Sequence, residues 1–319
     1  MLHKMEATPL ASETGFPNPI DLPAAVHDFR RARTRRLIRI ALFGVGIRLV
    51  VIAMELAGYW ALRHSVLLVD AAASIADVVA SVTIVAAIVL AQRPPDHDHP
   101  FGHGRYEPIA GLQLGVLIAV AGMFLLGQQL VVAVQQPAAG EVSRWVWLIP
   151  AIAALLLEIT NRTVVYIGRR ENSSALIAEA LHYRIDALSS LLASAGLAVA
   201  AYFPTFSQAV DHGCAMLLAL IMVGLGVLAA RENLHQLMDR APDQQWFDRV
   251  RESAARVEGV LEVEKVRIQN AGPDAHVDID VEVAPAQTVQ EAHRIAQRVR
   301  ARIQIDWPAV REVVVHVEP

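Results

Sequence analysis

The chain has 319 residues, of which 54% are apolar and 19% charged, with a formal net charge of −4 and a single cysteine. So apolar a composition points to membrane insertion, and a net charge of −4 gives no sign of nucleic-acid binding. Cys214 alone supplies neither an intrachain disulfide nor a thiolate cage, so any metal must be held by His, Asp and Glu.

Residues 1–36 are polar, Pro-containing and then Arg-rich, and read as a cytoplasmic tail. They lack a short apolar core followed by a small-residue cleavage site, so the first apolar run is expected to act as its own insertion signal. Six segments then meet the roughly 20 residues needed to cross a hydrocarbon core. They run over 37–62, 66–91, 109–134, 146–167, 175–201 and 214–230, inside a transmembrane domain spanning 37–240. Arg30, Arg31, Arg33, Arg35 and Arg36, then Arg93 and Arg105, Arg169 and Arg170, and Arg231 and Arg240 all flank one side. The opposite side offers only Arg63 and Arg144 in its connectors. The positive-inside rule therefore places both termini in the cytoplasm.

Residues 241–319 have the texture of a small soluble domain. Pro242 and Asp243 open a helix with Phe247, Val250, Ala254 and Val257 on one stripe. Two alternating runs, VEKVRIQ and HVDIDVEV, follow around the turn signal NAGPD. A second amphipathic helix, VQEAHRIAQRVRARI, precedes a last alternating run, REVVVHVEP. The expected order is helix, strand, strand, helix, strand, an α+β module small enough that pairing with a second copy would be natural.

The chemistry lies in the apolar segments. Asp70 and Asp77 fall in the second, His182 and Asp186 in the fifth, and ionisable groups at membrane depth mark ion or proton paths. His182 and Asp186 are four residues apart and stack on one helix face, with about 6 Å of rise between them. Asp77 would complete a three-ligand set from a neighbouring span. Asp70 lies about 10.5 Å farther along the axis, too far to share the ion, and is assigned to the ion path or a supporting position. The bland alternative is a polar cluster that holds helices together, with Arg184 projecting to another face and Glu179 as an interhelical contact. The connector after the second span, DHDHPFGHGRYEP, gathers Asp96, His97, Asp98, His99 and His103 between prolines. Imidazoles and carboxylates in that density suit zinc and related ions, or make a solvated loop.

From residue 36 onward the chain resembles the cation diffusion facilitator family of divalent-metal transporters. The carriers of the likeness are Asp70 and Asp77 in the second span, HPFGHGRYEP in the loop, LHYRID in the fifth span and the closing VVVHVEP. The resemblance implies a membrane all-α six-helix transmembrane domain plus a small cytoplasmic α+β domain, ferredoxin-like and metallochaperone-like. It implies a homodimer in a lipid bilayer, placed in the bacterial inner membrane, that exports a divalent metal against protons by alternating access. It implies no enzyme activity and no prosthetic group, the metal being substrate and regulatory ligand, with zinc first and iron, manganese, cobalt or cadmium as further candidates.

Carried over residue by residue, the resemblance puts the transport site on Asp77, His182 and Asp186. Ala73 stands where relatives place a fourth ligand, so water, Ser74 or a polar group from elsewhere must close the shell. Asp96, His99 and His103 match a loop site, with His97 and Asp98 as auxiliaries. Arg105 and Asp239 match a charge pair between the third and sixth spans. Asp280, His293, His316 and Glu318 match a cytoplasmic-domain site, while Glu264 stands where a relative has His. His276 and Asp278 read as an exposed strand face. Three other readings compete with a proton-coupled transporter: a membrane metal sensor or scaffold using the same sites, a metalloenzyme whose open position holds water, with Glu179 as the only nearby base, and a passive channel whose flux ignores a pH gradient.

Overall fold

A computed structural model describes residues 23–62, 65–93, 95–132, 145–203 and 207–319. Arg63, Arg144 and most of the 1–36 tail lie outside these residues, as do the side chains of Asp70 and Ala73. The chain divides into two compact units, one built mainly on Ala32–Arg240 and the other mainly on Ala241–Asn270 and Asp274–Pro319.

Among the described residues the first unit contains six long helices: α1 (Ala24–Leu62), α2 (Ser65–Ala91), α3 (Tyr106–Val132), α4 (Leu148–Arg170), α5 (Ser174–Tyr202) and α6 (Ser207–Leu237). Five of them are long and apolar enough to cross a membrane over their described residues, and Asp77–Ala91 of α2 is a shorter stretch of the same kind. Leu42, Val82, Phe124, Leu155, Leu191 and Leu220, one from each helix, are exposed large apolar side chains, as a lipid-facing surface requires. The inner face is built from Leu37, Ile88, Leu114, Leu157 and Leu176. Helix α1 begins at Ala24 rather than near residue 37, because the Arg- and Ala-rich stretch before the apolar run is itself a good helix former.

The α3 and α6 backbones meet without side chains between them. A Cβ added to Gly226 would lie 2.5 Å from the Ala119 nitrogen, and one added to Gly115 would lie 2.6 Å from the Ala230 nitrogen. Small residues at four-residue spacing give membrane helices this close approach, where dispersion replaces the hydrophobic effect as the driving force. Helices α4 and α5 form a tight hairpin instead. Ser173 caps α5 by accepting from the Leu176 N–H at 3.4 Å, and its hydroxyl donates to Glu107 Oε2 at 2.6 Å. The start of α3 is thereby tied to the start of α5.

The second unit has the expected element order: α7 (Gln244–Ala255), β1 (Glu262–Ala271), β2 (Asp274–Glu282), α8 (Val289–Asp306) and β3 (Val310–Glu318). Its sheet has the order β1-β2-β3, with β2 and β3 parallel and Ile279 opposite Val315. A parallel pair needs a crossover, and α8 supplies it. Thr288 caps α8, its hydroxyl accepting from the Glu291 N–H at 3.2 Å. Ile295, Val299 and Ile303 then form one stripe against Val277, Ile279, Val281 and Val313. Trp246 of α7 stacks on Trp307 with ring centroids 4.3 Å apart, closing the end of that core.

Gly226→Val is expected to destabilise the first unit by about 1–3 kcal/mol, the usual cost of overpacking, whereas Gly224→Ala, which meets nothing within 4 Å, is neutral. Equilibrium unfolding of both variants in micelles checks this, and equal stabilities would deny the close seam.

Candidate metal centre

Helices α2 and α5 bring Asp77, His182 and Asp186 together. His182 Nε2 lies 3.1 Å from Asp77 Oδ1 and 3.6 Å from Asp186 Oδ1. One ligand atom from each of the three lies within 4.8 Å of the others, a spacing that one cation can bridge. The i, i+4 spacing on α5 stacks His182 over Asp186, and α2 supplies the carboxylate facing them. These groups border a cavity of about 360 Å3 lined by side chains from all of α1 to α6. Ser189 and Ser190 of α5 add hydroxyls to its wall.

Helix α1 adds charge that the sequence reading did not place there. Arg48, 1% exposed, donates from Nη2 to Asp186 Oδ2 at 2.5 Å. Its guanidinium carbon is 4.6 Å from the Tyr183 ring centroid, a cation–π contact. Glu55 is also buried and lines the cavity, accepting from the Ser74 hydroxyl at 3.4 Å. Ser74 therefore turns toward α1. Ser81 donates to Glu179 Oε1, so Glu179 has the interhelical contact expected of it. Arg184 is exposed, on the face away from these groups.

The loop cluster has a different construction. Asp96 Oδ1 accepts from the backbone N–H groups of Asp98 at 3.1 Å and His99 at 2.7 Å, an Asx-type turn. The following turn closes through Gly102 N–H to His99 C=O at 2.9 Å, with Pro100 and Phe101 as its central residues. These turns draw His99 Nδ1 to 3.2 Å from Asp96 Oδ1 and His103 Nε2 to 3.4 Å from Asp96 Oδ2. Asp96, His99 and His103 form the other group able to hold a metal ion among the described residues. The His99 N–H bond, aided by the two imidazoles, holds the Asp96 carboxyl below the usual carboxylate range. His97 and Asp98 stay exposed and face each other instead. Arg105 Nη2 donates to both carboxylate oxygens of Asp239, at 3.0 and 3.3 Å, joining the ends of α3 and α6 at an exposed position.

In the second unit the four expected ligands do not converge on one point. Asp280 and His316 are register partners across β2 and β3, His316 Nε2 lies 3.2 Å from Glu318 Oε1, and Asp280 also faces Lys265 at 3.9 Å. His293 and Glu318 line a pocket of about 400 Å3. No three of Asp280, His293, His316 and Glu318 bring ligand atoms within 4.8 Å of one another among the described residues. Strand alternation is the reason: Ile279 and Val281 enter the core beneath α8, so Asp280 takes the opposite face, while His293 rides on the helix. Glu264 is exposed on β1. His276 departs from the expected open strand face. Its side chain is largely covered beside Glu312, and burial pushes its imidazole below the usual value, keeping it neutral at pH 7. Asp278 is exposed, facing Arg267.

Residues 41–238 match the cation efflux transmembrane domain, and residues 242–319 match the cation efflux protein, cytoplasmic domain. The chain belongs to the cation efflux family. Manganese efflux system protein MneP of Bacillus subtilis is 26% identical over 78% of this chain and 85% of its own length. Cation-efflux pump FieF of Pectobacterium atrosepticum is 27% identical over 89% of this chain and 93% of its own. Metal tolerance protein C1 of Arabidopsis thaliana is 27% identical over 84% of this chain, which spans 59% of that relative's length. A solved structure of the MamM CTD is 31% identical over 24% of this chain and 95% of its own, with a TM-score of 0.23. Cation efflux family membership makes this a multi-pass membrane protein of a transporter family, with the expected pairing of a helical membrane domain and a small α+β domain.

Arg48 and Glu55 are the charged members of the cavity wall that sequence reasoning missed. Their signal was available: charged residues seven apart within an apolar span lie two turns apart on one face. Because the Asp96 carboxyl is depressed, the turn it anchors keeps its charged acceptor above the unfolded-state value of about 3.9 and loses it only as pH falls through the lower folded value. An NMR titration of the Asp96 carboxyl in the full-length protein is expected to give a midpoint below 3.9. A midpoint at or above that value would deny the turn.

Proposed function

We propose that the protein exports a divalent cation from the cytoplasm, binding it at Asp77, His182 and Asp186 and exchanging it for protons by alternating access. The observation that carries this reading is the convergence of two carboxylates and an imidazole from separate helices on a cavity lined by all six. Such ligands hold a metal only when deprotonated, so metal and protons compete for the same atoms. Cytoplasmic metal displaces the protons, the helices rock outward, and protons from the other side release the cargo. The relatives named for manganese and cation efflux support the direction of transport.

Two carboxylates with one imidazole form a harder donor set than a thiolate site, and suit zinc, manganese or ferrous iron. With alanine at position 73, Glu55 on the cavity wall is a further oxygen donor available beside water. The arginine bias of the connectors supports cytoplasmic termini, and the bacterial efflux relatives support a bacterial inner membrane. The match of residues 242–319 supports assembly as a homodimer through the C-terminal unit. Asp96, His99 and His103 serve as a loop metal site, and Asp280, His293, His316 and Glu318 as ligands in the cytoplasmic unit. Arg105 and Asp239 fasten the cytoplasmic ends of α3 and α6. Within this reading the domains are a tail over 1–36, the transport domain over 37–240 and a dimerising regulatory domain over 241–319.

Proteoliposomes loaded with zinc, manganese, iron, cobalt or cadmium probes, with and without an imposed pH gradient, test the proposal. Flux is expected to follow the gradient and to fall to background in Asp77→Ala. Wild-type flux from that variant would reject the site, flux indifferent to pH would indicate a passive channel, and metal binding without flux a sensor.

A further inference from the structure

Arg48 lies outside the ligand set, yet it is the most completely buried cation among the described residues. Its Nη2 holds Asp186 Oδ2 at 2.5 Å, while Asp186 Oδ1 is the atom 3.6 Å from His182. Asp186 thus gives one oxygen to a guanidinium and the other to the metal cluster. The Nε and Nη1 atoms of Arg48 are buried with no hydrogen-bond partner among the described residues. The same is true of Glu179 Oε2, whose sister oxygen takes the Ser81 hydroxyl. Glu179, Tyr183 and Asp186 are spaced four and three apart on α5 and so share a face. The guanidinium lies over the Tyr183 ring, and Asp186 and Glu179 both attract it electrostatically. One of those carboxylates is engaged, the other holds an oxygen in reserve.

We propose that Arg48 is a tethered counter-cation: it holds Asp186 while the metal site is empty and passes across Tyr183 to Glu179 when a divalent cation takes Asp186. The proposal rests on Asp77, His182 and Asp186 being the transport site. A dication arriving at Asp186 repels a guanidinium 2.5 Å from that carboxylate, and in a low-dielectric cavity the repulsion is poorly screened. Lone buried donors and acceptors are costly, and the move to Glu179 satisfies groups on both partners at once. The Tyr183 ring face keeps the cation stabilised in passage. Return of Arg48 to Asp186 then helps to expel the metal on the far side. Affinity is lowered and release is quickened by the same residue, which acts as a positioning residue and never touches the cargo.

Zinc and manganese binding to the purified full-length protein, measured by calorimetry at fixed pH and paired with vesicle flux, tests this. Arg48→Gln is expected to tighten binding at least tenfold and to lower both the half-saturating concentration and the maximal flux. Arg48→Lys, which keeps a tethered cation, should stay within threefold of wild type. Glu179→Gln, which removes the second seat, should weaken binding at least threefold. Equal or weaker binding by Arg48→Gln, or tightening by Arg48→Lys as well, overturns the proposal. Should thermal unfolding show that Arg48→Gln does not fold, unchanged or tighter binding by Glu179→Gln overturns it instead. An Asp77→Ala control separates the two levels: if it still binds like wild type, the site assignment fails, and if it does not, only the role of Arg48 is at stake.

Discussion

Charge held at membrane depth must find its opposite within a few ångströms, and that constraint organises the first unit. Asp77, Asp186, Glu179 and Glu55 all line or adjoin one interior region, facing His182 and Arg48. None of these groups can be left alone in hydrocarbon. Helices α1, α2 and α5 each contribute to the balance, so their rotations about their own axes are fixed by chemistry as well as by packing. The apolar side chains of Leu42, Val82 and Leu191 then fall on the outside as a consequence.

Position decides how much each ionic contact contributes. The Arg105–Asp239 pair has good geometry but is about half exposed on both sides, so it is worth roughly 0–1 kcal/mol. Arg48–Asp186 lies in the interior with the arginine 2% exposed at its side chain. Removing one member of a buried pair typically costs about 3–5 kcal/mol, because the other is left uncompensated. The surface pair is therefore a fastener that can open, whereas the interior pair resists opening because its members would be left uncompensated. Asp96 is a third case, exposed and held chiefly by main-chain N–H groups, so its position follows from the turn around it and needs no buried partner.

The helices were legible because a long apolar run carries its own signal, and the α7-β1-β2-α8-β3 order because period-2 and period-3.6 patterns alternate cleanly after Pro242. Asp77, His182 and Asp186 were legible as a group because carboxylates and imidazole in such runs are rare and the spacing on α5 is unambiguous. Arg48 was not. Its partner is 138 residues away, and no local pattern reports how two helices are rotated against each other. The early start of α1 was hidden for another reason, since membrane length sets the apolar run but not where the helix ends in water. In the second unit a strand pattern tells which residues share a face, yet not that α8 would carry His293 to the core side of the sheet. His276 looked open for the same reason, its cover being supplied by neighbours distant in sequence.

The α3–α6 seam limits how this bundle can deform. Where Gly115 and Gly226 bring main chains into van der Waals contact, there are no side-chain torsions to take up a displacement. Sliding one helix past the other would drive amide against carbonyl, so the pair translates and tilts as a single rigid beam. Whatever strain accompanies loading of the cavity is consequently taken up between this beam and the four remaining rods, not within the seam.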